Sequence, residues 1–83
     1  MQNYPNPFNP TTTIQFSVEK DGKAVVKVFD IMGREAATLY DDAAQAGKNY
    51  TVTFSGAGFS SGVYFYTIES SNQRLAKKMI MVK

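Results

Sequence analysis

The sequence contains no cysteine and no histidine, and it has only three prolines. Without cysteine, neither a disulfide framework nor a thiolate metal site can stabilise the fold, so packing has to supply nearly all of the stability. Without histidine, imidazole metal sites and serine triads of the usual kind are excluded. The sequence also lacks an apolar run of the roughly 20 residues that a membrane-spanning helix needs. Residues 1–5 do not resemble a signal peptide, and we expect any such peptide to lie outside this chain.

The remaining candidates for catalysis are the carboxylates of Asp30, Glu35, Asp41 and Asp42. Adjacent residues of a strand point to opposite faces, so Asp41 and Asp42 are poorly placed to share a proton or a substrate. No spaced Asp-x-Asp series accompanies them, which disfavours a Ca²⁺ site. The sequence therefore predicts a domain that is not an enzyme and has no metal, cofactor or small-molecule substrate.

A glycine-rich segment, residues 56–62, superficially resembles a dinucleotide-binding loop. Its third glycine is one place late, and a predicted strand follows where a helix should begin, so we discard this interpretation. The aromatic residues follow a two-residue period, which favours core packing over a stacking platform for nucleic acid.

Composition indicates one folded domain over residues 1–83. The chain is 43% hydrophobic and 13% aromatic, within the globular range, and its net charge is only +2. All seven acidic residues lie between Glu19 and Glu69, which leaves the last segment basic through Arg74, Lys77, Lys78 and Lys83. These cations either attract an acidic partner or simply discourage pairing at a sheet edge.

Alternating apolar and polar residues predict a series of short strands. The predicted inward faces carry Thr12, Ile14, Phe16 and Val18, then Ala24, Val26 and Val28, then Tyr50, Val52 and Phe54. A densely apolar segment, residues 63–69, predicts a central strand, and residues 74–82 predict the last one, with Met79 and Met81 opposite Ile80 and Val82. Residues 35–40 form a weaker strand candidate, followed by a predicted loop at residues 41–47.

Turn residues separate these strands. Asp21-Gly22 lies between two alternating segments and predicts a hairpin. Residues 31–34 predict a second turn, and residues 55–62 a loop with Phe59 as its one side chain able to enter the core. A proline-rich lead-in, residues 1–10, precedes a β-sandwich over residues 11–83.

About seven short strands without a convincing helix predict an immunoglobulin-like Greek-key β-sandwich with antiparallel strands. In such folds a tyrosine near the start of a late strand bonds its hydroxyl back to the preceding loop. Tyr64 is the candidate for this tyrosine corner.

Several segments resemble the type A C-terminal sorting domain of the type IX secretion system. The first is Asn3-Tyr4-Pro5-Asn6-Pro7-Phe8-Asn9-Pro10-Thr11-Thr12, with Ile14-Gln15-Phe16 after it. The others are Val28-Phe29-Asp30-Ile31-Met32-Gly33-Arg34-Glu35, Ala46-Gly47, Ser61-Gly62-Val63-Tyr64-Phe65-Tyr66 and Lys77-Lys78-Met79-Ile80-Met81-Val82-Lys83. The resemblance covers nearly the whole chain.

The resemblance implies a secretion signal fused to the C-terminal side of a cargo protein. The cargo would cross the inner membrane with a signal peptide, pass from the periplasm through the type IX translocon, and reach the cell surface or the medium. A sortase-like peptidase would commonly remove the domain. The motif residues Pro5, Asn6, Pro7 and Phe8 would mark the entrance of the domain, and Gly33, Gly62 and Tyr64 its turns and core. The translocon would recognise Lys77, Lys78, Met79, Ile80, Met81, Val82 and Lys83.

Two other functions stay open at this point. The same motifs resemble the immunoglobulin-like module of flagellar hook-capping proteins, which would make the domain a structural part. A carbohydrate-binding module of a secreted hydrolase shares the sandwich fold and the tyrosine content. An exposed edge strand would also allow the isolated domain to form a homodimer.

The core assignment of Tyr64 is testable by truncation. We expect Tyr64→Ala to lower the free energy of unfolding by about 3–5 kcal/mol, because a large buried side chain leaves a cavity when it is removed. A thermal midpoint equal to that of the wild type would show that Tyr64 is not a core residue.

Overall fold

The computed structural model describes residues 2–4 (backbone only), 11–71 and 73–82. These residues form seven β-strands, of which the first is only three residues long. The strands are β1 (Gln2–Tyr4), β2 (Thr11–Phe16), β3 (Gly22–Asp30), β4 (Glu35–Ala44), β5 (Tyr50–Ser55), β6 (Gly62–Ser70) and β7 (Gln73–Met81). No helix in the described part of the chain is long and apolar enough to cross a membrane.

The strands form two antiparallel sheets. Sheet A has the order β1-β2-β5, and sheet B has the order β4-β3-β6-β7. The chain changes sheet between β2 and β3, between β4 and β5, and between β5 and β6, whereas β3-β4 and β6-β7 are hairpins within sheet B. These crossings make the predicted Greek-key sandwich of immunoglobulin type.

The core lies between the sheets and follows the predicted alternation. Thr12, Ile14 and Phe16 of sheet A are buried, with Val18 just after β2, as are Ala24, Val26 and Val28 from the centre of sheet B. β6 lies between β3 and β7, as expected for the strand with the densest apolar sequence, and it buries Tyr64, Tyr66 and Ile68. Met79 and Met81 of β7 lie on the face opposite Ile80 and Val82, as predicted, and the structure shows that the methionines are buried while Ile80 and Val82 are exposed.

The prediction of a hairpin at Asp21-Gly22 is wrong. The strands on either side of it belong to different sheets, so this segment carries the chain across the sandwich. Gly22 has a φ of 153°, a conformation that side chains disfavour, and the Asp21 carboxylate accepts a 2.7 Å bond from the backbone N–H of Ala46. The bond joins two loops at the same end of the molecule, so the segment acts as a corner.

One strand extends well beyond its predicted limits, and the lead-in adds a strand that was not predicted. β4 continues through Asp41 and Asp42 to Ala44, where we expected a loop. This strand forms an edge of sheet B, so polar residues are tolerated there, and Asp41 forms an ion pair with Lys23 on the neighbouring β3 at 3.1 Å. The expected lead-in contributes β1, which pairs antiparallel to β2 from Gln2 opposite Gln15 to Tyr4 opposite Thr13.

The antiparallel order fixes which segments share an end of the sandwich. β1 begins beside the last residues of β2, near the β2-β3 corner and the β4-β5 loop. The opposite end carries the β3-β4 turn, the β5-β6 loop and the last residues of β7. We call this opposite end the distal end.

Candidate recognition surface

The last strand has one face in the core and one in solvent. β7 lies at the edge of sheet B and pairs with β6 in unbroken register, from Ser70 opposite Gln73 to Gly62 opposite Met81. Met79 and Met81 are 0% and 1% exposed. Between and beyond them, Ile80 and Val82 are 39% and 49% exposed, and Lys77 and Lys78 are also exposed. β7 therefore anchors itself with methionines while presenting cationic and aliphatic side chains.

The β3-β4 turn at the distal end is organised by Asp30. One oxygen of its carboxylate accepts bonds of 2.9 Å from the backbone N–H groups of Met32 and Arg34, and the other accepts a bond of the same length from Nε of Arg34. Gly33 completes the turn with a φ of 83°. The N–H of Arg34, followed by its guanidinium and the N–H of Met32, holds the pKa of Asp30 below its ordinary value. The turn is thus locally rigid even though its surface is exposed.

This rigid turn presents two large apolar side chains to solvent. Ile31 is 65% exposed and Met32 is 75% exposed. The two-residue period gave no reason to single them out, because both lie in a turn. The only sequence sign is the presence of two bulky apolar residues where turns usually carry polar ones.

The β5-β6 loop is fixed by the tyrosine corner that the sequence predicts. The hydroxyl of Tyr64 donates a 2.7 Å hydrogen bond to the backbone carbonyl of Ser60. Phe59 enters the core as expected, with ring centroids 5.7 Å from Phe54 and 6.3 Å from Tyr64. Gly58 and Gly62 have φ values of 87° and 147°, which accommodate the crossing between sheets.

An open pocket of about 520 Å³ lies between this loop and the β3-β4 turn. Its lining includes Ile31 and Arg34 from the turn, Phe59 from the loop, and Val63 from the start of β6. Asp30 and Arg34 at the border of the pocket form an ion pair with each other. The distal end is therefore a shaped surface with both apolar and cationic groups.

The acidic residues weighed as catalytic candidates are separated and bonded. Asp41 pairs with Lys23, Glu35 pairs with Lys27 at 3.1 Å, and Asp42 accepts a bond from the N–H of Ala43. The Lys27 ammonium, with the Thr38 hydroxyl, lowers the pKa of Glu35. In residues 11–71 and 73–82, no group of three or more metal-ligating acidic side chains occurs.

The tyrosines whose side chains are described are buried or half-buried. Tyr64 and Tyr66 are buried, and Tyr40 and Tyr50 are half-buried in a cluster with Phe16. Among the tyrosines whose side chains are described, none is fully exposed.

The family model of the secretion system C-terminal sorting domain matches residues 2–83. The chain belongs to this family. The sorting domain is thus a C-terminal signal of the type IX secretion system, which implies an N-terminally fused cargo that is secreted across the outer membrane. No curated protein and no solved structure matches the chain.

The predicted motif residues of the sorting domain lie in different parts of the fold. Gly33 and Tyr64 lie at the distal end, and Gly62 begins β6 beside them. The proposed recognition residues Lys77, Lys78, Met79, Ile80 and Met81 lie on β7, and Val82 follows it. Pro5, Asn6, Pro7, Phe8 and Lys83 lie outside the described residues.

Two buried tyrosines of the sorting domain provide a matched test of hydrogen bonding. We expect Tyr64→Phe to lower the free energy of unfolding by about 0.5–1.5 kcal/mol, because it removes the bond to Ser60. The Tyr66 hydroxyl is buried without a partner in the described structure, and burial raises its pKa. Tyr66→Phe should therefore leave stability unchanged or increase it. Denaturant unfolding compares the two, and an equal loss in both variants would contradict the assigned tyrosine corner.

Asp30 is expected to make stability depend on pH. Its folded pKa lies below the ordinary value of 3.8, so its contribution is fully present above that value and is lost as the pH falls through the folded pKa. On acidification below about pH 4, the thermal midpoint of the wild type should fall more than that of Asp30→Asn, which starts lower at neutral pH. Glu35 is present in both proteins, so the difference isolates Asp30. Parallel pH profiles would show that the turn carboxylate contributes nothing.

Proposed function

We propose that this sorting domain is a non-catalytic address, recognised by the type IX translocon through the exposed side chains of residues 77–83. A sortase-like peptidase then removes it. The fused cargo passes through the periplasm and ends at the cell surface or outside the cell. The observation that carries the proposal is the family match over residues 2–83.

The division of labour along β7 supports recognition through this strand. Met79 and Met81 fill the core, so the fold depends on them, whereas Lys77, Lys78 and Ile80 are exposed and contribute less to packing. Exposed side chains on a strand fixed by its neighbours are presented in one geometry, which lowers the entropic cost of binding.

The bonding of the acidic groups supports a role without catalysis. Asp30, Glu35 and Asp41 each form an ion pair with a basic residue near them in the fold, and Asp30 also holds a turn. Lowered pKa values at Asp30 and Glu35 keep these groups ionised at neutral pH and disfavour their use as general acids.

The proposal is tested by secretion of a fluorescent protein that carries a signal peptide and this domain, in a bacterium with the type IX system. Deleting residues 77–83 removes Met79 and Met81, so loss of export by that deletion would not separate unfolding from lost recognition. We therefore use the surface variant Lys77→Ser, Lys78→Ser, Ile80→Ser, Val82→Ser, which retains both methionines. We expect it to reduce export at least about tenfold, the change that 1.4 kcal/mol of lost affinity produces.

The matched control is Lys20→Ser with Lys48→Ser, which removes the same charge from other exposed positions. The control should be exported like the wild type, and circular dichroism should show that both variants are folded. Periplasmic retention of the folded wild-type fusion would contradict the address function. Normal export of the surface variant would exclude recognition through β7.

A further inference from the structure

The exposed large hydrophobic side chains are concentrated at one end of the molecule. Five such residues occur among the described ones, and four of them, Ile31, Met32, Ile80 and Val82, belong to the distal end. The fifth, Leu75, lies near the other end of β7, opposite Ile68. Single exposed apolar residues are ordinary on protein surfaces, but their accumulation at one place marks an interaction site.

The strand register shows how these residues are connected. Ile80 lies directly opposite Val63 on β6, and Val63 lines the same pocket as Ile31. In the next row Phe65 lies opposite Phe29, and both are half-buried on the outer face of sheet B. We call the surface formed by Ile31, Met32, Val63, Ile80 and Val82 the apolar end patch.

The other half of the same outer face is polar. Glu69 pairs with Arg74 at 3.3 Å, and their row continues through Val25 to Asp41. Towards the distal end, the outer face of sheet B carries Phe29, Phe65, Val63 and Ile80, with Glu35 opposite Phe29 and Lys78 opposite Phe65.

The charges around the apolar end patch are predominantly positive. Its bordering acids, Asp30 and Glu35, are each paired with a cation, Arg34 and Lys27. Lys78 lies opposite Phe65 on the same outer face, and no acidic residue occurs between Gln73 and Val82. The border thus has three cations, Lys27, Arg34 and Lys78, against two carboxylates, which favours a partner with the opposite charge.

We infer that the apolar end patch is a docking surface for a partner protein whose own contact surface is apolar and bordered by carboxylates. The inference rests on the proposed function, because export is the process in which this partner acts. It extends recognition from the linear segment at residues 77–83 to a surface that exists only in the folded domain. The Asp30-organised turn supplies Ile31 and Met32 in a fixed position, as anchor residues require.

A second copy of this chain fits the surface less well. Two apolar end patches facing each other would bring the cation-rich borders of both copies together, and like charges across an interface are unfavourable. The fused cargo is also poorly placed to cover the patch, since β1 begins at the opposite end of the sandwich, on sheet A.

The test replaces the two most exposed residues of the patch. In the export assay, Ile31→Ser with Met32→Ser should lower secretion of the fluorescent cargo at least about tenfold, while the thermal midpoint stays within about 2 °C of the wild type because both side chains are exposed. Leu75→Ser is the matched control for loss of an exposed hydrophobic residue, and it should leave export unchanged. Ile31→Leu with Met32→Leu should retain export.

The outcomes separate this inference from the proposed function. Normal export of the Ile31→Ser, Met32→Ser variant beside an exported wild type would overturn the docking surface and leave the address function intact. Retention of the wild type would overturn both. Sedimentation that shows a wild-type dimer abolished by the same variant would assign the patch to a second copy and contradict the inference.

The charge of the partner is tested separately. Lys78→Glu should reduce export further than Lys78→Ser, because reversal adds repulsion from carboxylates to the loss of attraction. Equal export of these two variants would contradict an acidic border on the partner.

Discussion

The face-to-face packing of two small sheets is the contact on which every other feature of this domain depends. Each sheet has an apolar face that must be covered by another element, and this chain has no cysteine for a disulfide that would add to the packing. The chain crosses between the sheets, and each crossing brings the next strand back to the same core. Tyr64 reinforces one crossing chemically, since its ring packs in the core while its hydroxyl bonds to the loop that leads into β6. The conformation of that loop in turn shapes one wall of the distal pocket.

The same packing also fixes the positions of exposed side chains on β7. β7 has no strand beyond it in the described part of sheet B, and it is held by β6 and by two buried methionines. The exposed side chains between those methionines are therefore fixed by the core. The β3-β4 turn is fixed by a different means, a single carboxylate that accepts three hydrogen bonds. Two unrelated local devices thus hold apolar side chains in solvent at the same end of the sandwich.

The features of this domain that depend on local alternation are predictable from the sequence, whereas those that depend on pairing between distant segments are not. The buried residues of β2 and β3, the central position of β6 and the bond from Tyr64 were all predictable, because each follows from a two-residue period or a known corner. Asp21-Gly22 has the residues of a hairpin turn. The strands on either side of it nevertheless lie in different sheets, because β2 pairs with β5 (Tyr50–Ser55), about thirty residues further along the chain. Asp41 and Asp42 suggested a loop because Lys23, the cationic partner of Asp41, is brought beside it only once β3 and β4 are paired. The apolar end patch was missed for the same reason, since it combines residues from three segments.

The opposite placement of β1 and the end of β7 has a mechanical consequence. If the cargo pulls on β1 while a partner holds the distal end of β7, the force runs along the strands rather than across them. Hydrogen bonds in such a shear geometry are loaded together, whereas a pull from one end of a hairpin would break them one at a time. The three-residue pairing of β1 with β2 is the shortest in this path. Under such a force this pairing is expected to separate before the longer ones. The link to the cargo would then lengthen while the core of the sandwich stays closed.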